Sequence, residues 1–342
     1  MAILKKIITV LLLPVCLTGC YEDFIPETDV KPVLCLNSLI TAGEPIEVKV
    51  SHTWLFTENL QPDANVDDAT VVIMVDGEEM GSDYLPKEGD HIKISADSRR
   101  YGHAEAEVTV PYTVPIEIVN WAPTVTSAWS DEKPDRKMMC DISFNLKAEI
   151  VVKDPRETEN YYWFTSNSFY SDHDSNGDHG DGVWYEPWRS YADVYFNMGI
   201  LKYEAEPIFS EHIGVFESIS GSEPYGFSFF TDRQFSGKSY PLHIQFADGR
   251  YKVEASEWNA ELLECGCEFV LYSVSESYYN WANYVWQRDE GPRGDLSELG
   301  FGEPLWGYSN VSTGAGVVAA QSSSTCRLNL KDFIETNFKI TE

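Results

Sequence analysis

The chain has 342 residues and a formal net charge of −30, long enough for two domains or one large β domain. A field of that sign repels phosphate backbones over a Debye length of roughly 8 Å, so nucleic acid is excluded as a partner and a cation is the favoured small ligand. With 43% hydrophobic and 13% aromatic residues the composition is globular rather than disordered.

Residues 1–19 place Lys5 and Lys6 ahead of an apolar run from Ile7 to Leu17, followed by Thr18 and Gly19. A charged start, a short apolar core and small residues at its end make a secretory signal, too short for a permanent membrane span. The tetrapeptide Leu17-Thr18-Gly19-Cys20 resembles the bacterial lipobox, in which the cysteine sulfur is diacylated and the chain is cut in front of it. The rival cysteine, Cys16, follows the branched Val15, so Cys20 is the expected lipid attachment. Removing two lysines and no acids leaves −30 − 2 = −32 on the mature chain. Two or three acyl chains hold durably where one holds marginally. The acidic pair Glu22-Asp23 resembles the export signal that sends Bacteroidetes lipoproteins to the outer face of the outer membrane. The alternative is an acidic linker without an address. Residues 20–27 are the expected tether, giving the anchored body reach.

Period-two alternation then begins. Ile46, Val48 and Val50 alternate with Glu47, Lys49 and Ser51, a strand with one buried face. "ATVVIMV" runs into Asp76-Gly77, a hairpin signal, and "HIKISAD" and "AEAEVTV" repeat the alternation. Strands at short intervals predict an immunoglobulin-like β-sandwich over 28–112, with "VPYTVP" as a proline-marked boundary. Residues 113–342 predict a larger antiparallel β domain, sandwich or barrel. "CDISFNLKAEIVV" alternates, and Asp248-Gly249 stands between two short strands. One helix is expected near 276–288, capped by Ser275, with Tyr278, Trp281, Ala282 and Val285 on its packed face. Setting aside the signal and Cys20, five cysteines remain: Cys35, Cys140, Cys265, Cys267 and Cys326. An odd count without paired spacing argues buried free thiols rather than a disulfide framework.

The opening "PVLCLNSLITAGEPIEVKVS", the unit "FVLYSVSESYYNWANYV" and the closing "FGEPLWGYSNVSTGAGVVAAQS" resemble the domain of unknown function 4249 family, lipoproteins of Bacteroidetes. The likeness covers nearly the whole mature chain, and the closing Gly-Glu-Pro, Ser-Asn and Gly-x-Gly elements are its most specific part. It implies an accessory of outer-membrane transporters driven by TonB, and it carries no catalytic residues.

Candidate chemistry concentrates in "SDHDSNGDHGDGVW", residues 171–184. Asp172, Asp174 and Asn176 with Gly177 read as the first half of a calcium loop, and Asp178 would supply a carbonyl. Val183 stands where the bidentate Glu belongs, so the stretch is either a partial Ca2+ site or a polar hairpin tip. Directly after it come Trp184, Tyr185, Trp188 and Arg189, which suit stacking on a sugar or peptide and equally suit a β interior. The Gly237-Lys238-Ser239 stretch lacks the leading Gly and the strand-to-helix setting of a phosphate loop. The expected role is non-catalytic. The chain would be a lipid-anchored, surface-facing outer-membrane protein that captures a glycan, peptide or other nutrient for a TonB-dependent transporter, or docks on it. The alternatives are a surface hydrolase acting on glycan or peptide, and a calcium-stiffened adhesive protein.

Overall fold

The computed structural model describes residues 31–54, 64–132, 138–155, 159–170, 192–198, 200–202, 206–212, 228–255, 264–289 and 307–338. The chain is mainly β, and among the described residues it is built from three sheets with no closed barrel.

Strand β1 (Leu34–Thr41) pairs antiparallel with β2 (Lys49–His52). Strands β3 (Thr70–Val75), β4 (Glu78–Met80), β5 (His91–Ser98) and β6 (Gly102–Thr109) then form an antiparallel sheet in the order β4-β3-β5-β6. The hairpin at Asp76-Gly77 forms as its residues demand: both have positive φ, 51° and 87°, the backbone twist that a two-residue hairpin turn requires. On β5 and β6 the alternation is strict. Ile92, Ile94, Ala96, Ala104, Ala106 and Val108 are buried and their neighbours face water.

After a linker through Pro111 and Pro115, β7 (Ile116–Glu132), β8 (Met138–Lys153) and β13 (Ser239–Ala255) make the long strands of a second sheet, flanked by β10 (Ala192–Asn197) and β11 (Ile200–Lys202). Asp248-Gly249 proves not to separate two strands. β13 runs straight through it with a bulge between Phe246 and Gly249, and Asp248 takes φ 62°. A side chain at Gly249 would come 2.6 Å from the Phe144 ring, so the glycine admits a core aromatic where a hairpin signal stood.

The third sheet joins both ends of the chain. Its order is β12 (Phe229–Thr231), β9 (Tyr161–Tyr170), β14 (Cys265–Val274), β15 (Ala315–Asn329), β1, β2. β1 and β15 pair parallel, Cys35 opposite Ala315 through Thr41 opposite Gln321. The six-stranded sheet therefore backs two cores. Its β1 side, with Leu34, Leu36, Val318 and Ala320, packs against the four-stranded sheet. Its β9 and β14 side, with Tyr162, Phe164, Phe269 and Leu271, packs against the five-stranded sheet. β15 serves both, reaching Leu328 in the second core.

Helix α1 (Glu276–Asp289) covers the opposite face of that sheet, and a second, short helix, α2 (Lys331–Phe338), follows β15 and buries Ile334. Ser275 Oγ accepts from Tyr278 N (3.3 Å), the capping bond, and also from Ala320 N of β15 (3.0 Å). Ser277 Oγ donates to Val318 O at 2.9 Å. These ties set the rotation of α1: Ser277, Tyr279 and Ala282 are buried, while Trp281, expected on the packed face, is 39% exposed.

Candidate functional site

Because Tyr162 and Phe164 of β9 enter the second core, Trp163, Thr165, Asn167 and Phe169 stand on the other face of the strand. The same parity on β14 puts Phe269 and Leu271 inward and Glu268 and Tyr272 outward. Cross-strand register then sets Phe229, Trp163 and Tyr272 side by side in one row. Their rings stack: Trp163 lies 5.4 Å from Phe229 at 3° and 4.7 Å from Tyr272 at 19°. Trp163 Nε1 donates to Ser228 Oγ at 3.1 Å, which fixes the indole. Tyr278 of α1 meets Trp163 and Phe229 edge-on, and Trp281 follows it outward at 5.9 Å. Ring pairs of these geometries contribute roughly 0.5–1.5 kcal/mol each beyond their burial, so the cluster both seats α1 and presents an aromatic surface.

Four residues farther along, roughly 13 Å at strand rise, the same face carries Asn167, Glu268 and Arg327 in one row. Arg327 Nε donates to Glu268 Oε1 at 2.7 Å and its guanidinium lies 5.5 Å over the Phe169 ring. Between the two rows stand Thr165 and Thr325. Burial pushes the Tyr272 and Tyr278 hydroxyls above the usual phenol range, keeping them as neutral donors, and neither makes a hydrogen bond among the described residues. An aromatic row followed by hydroxyls and a charged pair can hold a ligand with apolar faces and polar rims.

The second set of functional side chains is buried. Asp154 and Asp232, 8% and 1% exposed, both accept from Asn160 Nδ2 at 3.3 Å. Asp154 also accepts from the Tyr162 hydroxyl and from Gly237 N (2.6 Å). Burial, with Asp154 nearby, raises the Asp232 carboxyl above its ordinary value. Gly237, whose Gly-Lys-Ser context suggested a phosphate loop only superficially, takes φ 68° and gives its N–H to a carboxylate. Glu206 is likewise enclosed, accepting from Tyr240 Oη (2.5 Å), His243 N (2.7 Å) and, across a 2.9 Å contact, the His243 imidazole Nδ1. These carboxylates are bonded to protein donors and tie Asn160, Tyr162, Gly237, Tyr240 and His243 together around the edge of the second core.

Cys265 and Cys267 point together into the second core, as alternation requires, with Gly266 between them because any side chain there would overlap the Leu328 carbonyl oxygen. Burial pushes Cys265 up to about 12 and Cys326 up to about 11. Cys35, Cys265, Cys267 and Cys326 are free thiols and remain protonated. Among the described residues no group of three His, Cys, Asp or Glu side chains converges on a metal position, and no helix is long and apolar enough to cross a membrane.

The residues singled out from the sequence, Cys20, Asp172, Asp174, Asn176, Asp178, Trp184, Tyr185, Trp188 and Arg189, lie outside the described residues. The chain that carries the last eight leaves β9 at Tyr170 and returns at β10. Trp163, Tyr272 and Phe229 escape sequence reasoning because strand alternation among aromatics reads as core on both faces. The available signal was parity: Tyr161 to Phe164 is aromatic throughout, which one buried face cannot absorb.

Of the closing elements, Gly-Glu-Pro lies outside the described residues, and the Ser-Asn and Gly-x-Gly elements are architectural. Asn310 pairs both its amide atoms with the Val318 backbone, Nδ2 to Val318 O at 2.8 Å and Val318 N to Oδ1 at 2.9 Å. A Cβ at Gly314 would come 2.6 Å from Leu34 O, and one at Gly316 (φ 108°) would overlap Leu36 O. No curated protein and no solved structure matches the chain. A family model, Domain of unknown function (DUF4249), matches residues 21–327, and the chain therefore belongs to that family.

Proposed function

We propose that the protein is a lipid-anchored outer-membrane accessory, tethered through Cys20 and facing outward, that captures a nutrient ligand beside a TonB-dependent transporter without transforming it. The observation that carries this reading is the stacked row Phe229–Trp163–Tyr272, on the strand that leads into Trp184, Tyr185, Trp188 and Arg189. Rings in a row with hydroxyls and an Arg–Glu pair beyond them suit a glycan or an aromatic-bearing peptide. Tethering would raise the ligand's local concentration at the pore. On the same reading the Asp172–Asp178 stretch takes a calcium ion.

A surface hydrolase needs two carboxylates, or a nucleophile and base, that substrate can reach. Asp154 and Asp232 are a pair, but buried and bonded to protein donors. The test is recovery of the mature chain from outer membranes in mild detergent, with mass spectrometry of its companions and its amino end. A co-purifying β-barrel transporter and a diacylated Cys20 are expected. Consistent failure to recover any transporter would overturn the transport role. For the ligand surface, a panel of soluble oligosaccharides and peptides should bind the chain and lose at least fivefold in affinity with Tyr272→Ala or Trp281→Ala.

A further inference from the structure

The stacked row Phe229–Trp163–Tyr272 has one open end. Its rings stand 5.4 Å and 4.7 Å apart, close to the spacing of neighbouring strands, so each ring turns its faces along the row and its edge to solvent. Both faces of Trp163 are therefore covered, one by Phe229 and one by Tyr272. Among the described residues Tyr272 stacks on one side only, and its second face looks across β15. There its register partner is Ser323, exposed and small, with the exposed Thr325 two residues on. Beyond Ser323 the pairing of β1 has ended. Thr41, opposite Gln321, is the last partner, and the chain turns at Gly43 (φ 83°), where a side chain would have nothing within 4 Å.

Size and charge say what fits that opening. Two strand spacings, about 9.5 Å, separate the position of Tyr272 from the line of β1, and a flat group in contact with the ring at roughly 3.5–4 Å fills the step over Ser323. Glu44, exposed at the same turn, makes no ion pair among the described residues. The two charges that act on the Tyr272 hydroxyl are Glu268 and Glu44, both acids. Glu268 is bonded to Arg327, which leaves Glu44 for a ligand. Behind the turn, the Pro86 carbonyl takes Gly43 N at 2.8 Å. Over β14, β15, the 42–44 turn and the 86–90 loop, the acids are Glu44, Glu88, Asp90 and Glu268 and the bases Lys87 and Arg327. The local balance is negative, as it is for the whole chain. A sugar ring gains from the aromatic face but not from the sign of this field.

We propose that the open face of Tyr272, above Ser323 and beside Glu44, seats the guanidinium of an arginine side chain in a peptide ligand. A guanidinium is both flat and cationic. It stacks on an aromatic face, drawn by the ring quadrupole, while its N–H fork pairs with a carboxylate. Trp163 and Phe229 back the Tyr272 ring, so the face is held ready before the ligand arrives. The inference rests on the reading that this face captures a ligand, and it narrows that ligand to a peptide recognised by arginine.

The experiment titrates the mature chain with a dye-labelled Gly-Ser-Arg-Ser-Gly peptide, read by fluorescence anisotropy, and with the same peptide carrying citrulline, which is as flat and as large but uncharged. The arginine peptide should bind at least tenfold more tightly. Glu44→Gln, on an exposed turn, should shrink that ratio at least threefold. Ser323→Trp, which fills the step over β15 from an exposed position, should weaken the arginine peptide at least fivefold, whereas Tyr272→Phe, which keeps the ring face, should bind as the parent does. Equal binding of the two peptides, or an arginine preference unmoved by Glu44→Gln and Ser323→Trp, would overturn the seat. Loss with Tyr272→Phe would overturn it too, since the hydroxyl and not the face would then be the contact. Oligosaccharides that bind and respond to Tyr272→Ala while the arginine peptide does not bind would leave ligand capture standing and remove this inference alone. Binding of neither class would take the capture reading down with it.

Discussion

The first core is filled by Leu, Ile, Val and Ala, among them Leu34, Ile92, Ile94 and Ala104, whereas the second takes Phe144, Tyr162, Phe164, Phe230, Tyr251 and Phe269. The choice has consequences for polarity. Aliphatic side chains bring nothing that needs a partner, and the first core closes dry. Tyrosines bring hydroxyls that must be satisfied when buried. Tyr162 is bonded to Asp154 and Tyr240 to Glu206. Among the described residues, all three buried carboxylates, Asp154, Glu206 and Asp232, sit at the second core. An aromatic interior thus imports acids, and pH sensitivity of the fold should reside there.

The sharpest way to break the partition is at the strand both cores share. Gly316 has φ 108° and lies against the Leu36 carbonyl of β1, so Gly316→Ala adds a clash to a left-handed strain. It should cost more than about 3 kcal/mol, the range reserved for backbone-level disruption, measured by urea denaturation. Because β15 feeds both cores, a single transition should shift as a whole. Two transitions, with only one displaced, would mean that the halves fold independently.

The first core was legible because its strands obey one rule without interruption: β5 and β6 alternate cleanly and the turn at Asp76-Gly77 has the residues its geometry needs. The second was legible only in outline. Bulges between Ile118 and Asn120, Val125 and Ser127, and Phe246 and Gly249 each shift parity, so β7 carries no clear alternation and Asp248-Gly249 mimics a hairpin. β15 is harder still: "QSSSTC" is polar, and its parallel partner β1 lies about 280 positions away, beyond any local pattern. The helix was found within a residue of its end, but not its rotation, because Ser277 faces down to bond Val318 where hydrophobicity would have put Trp281. The candidate site divides the same way. Exposed-looking aromatics after residue 183 are visible in the string, whereas the row Phe229–Trp163–Tyr272 exists only through register.

A smaller effect sharpens the claim about acids. Burial raises the Asp232 carboxyl above its unfolded value, so the native chain keeps a proton there that the unfolded chain has released. That contribution is full below the unfolded value and is lost as pH climbs through the raised one. Asp232→Asn, which retains an acceptor for Asn160, should therefore flatten the fall in stability above pH 4 and gain on the parent chain toward neutrality. Urea midpoints across pH 4–8 read it, with Ile94→Val in the first core as a control whose cost should not vary with pH. Identical slopes for parent and Asp232→Asn would sink the assignment.

The smallest effect lies at the seam between the cores. Ser273 and Ser322 are direct partners on β14 and β15, both buried, and neither hydroxyl has a hydrogen-bond partner among the described residues. On β15, Ser322 falls between Ala320, in the first core, and Ser324, whose hydroxyl donates to Val114 O of the linker at 2.5 Å. A buried hydroxyl without a partner is a desolvation cost with no return, so removing it by Ser→Ala should be neutral or stabilising. The double variant Ser273→Ala, Ser322→Ala should gain up to about 1 kcal/mol per hydroxyl in urea denaturation, opposite in sign to every truncation within either core. A loss instead would mean that the two hydroxyls are bridged by ordered water, and the seam would then be a hydrated joint rather than a dry one.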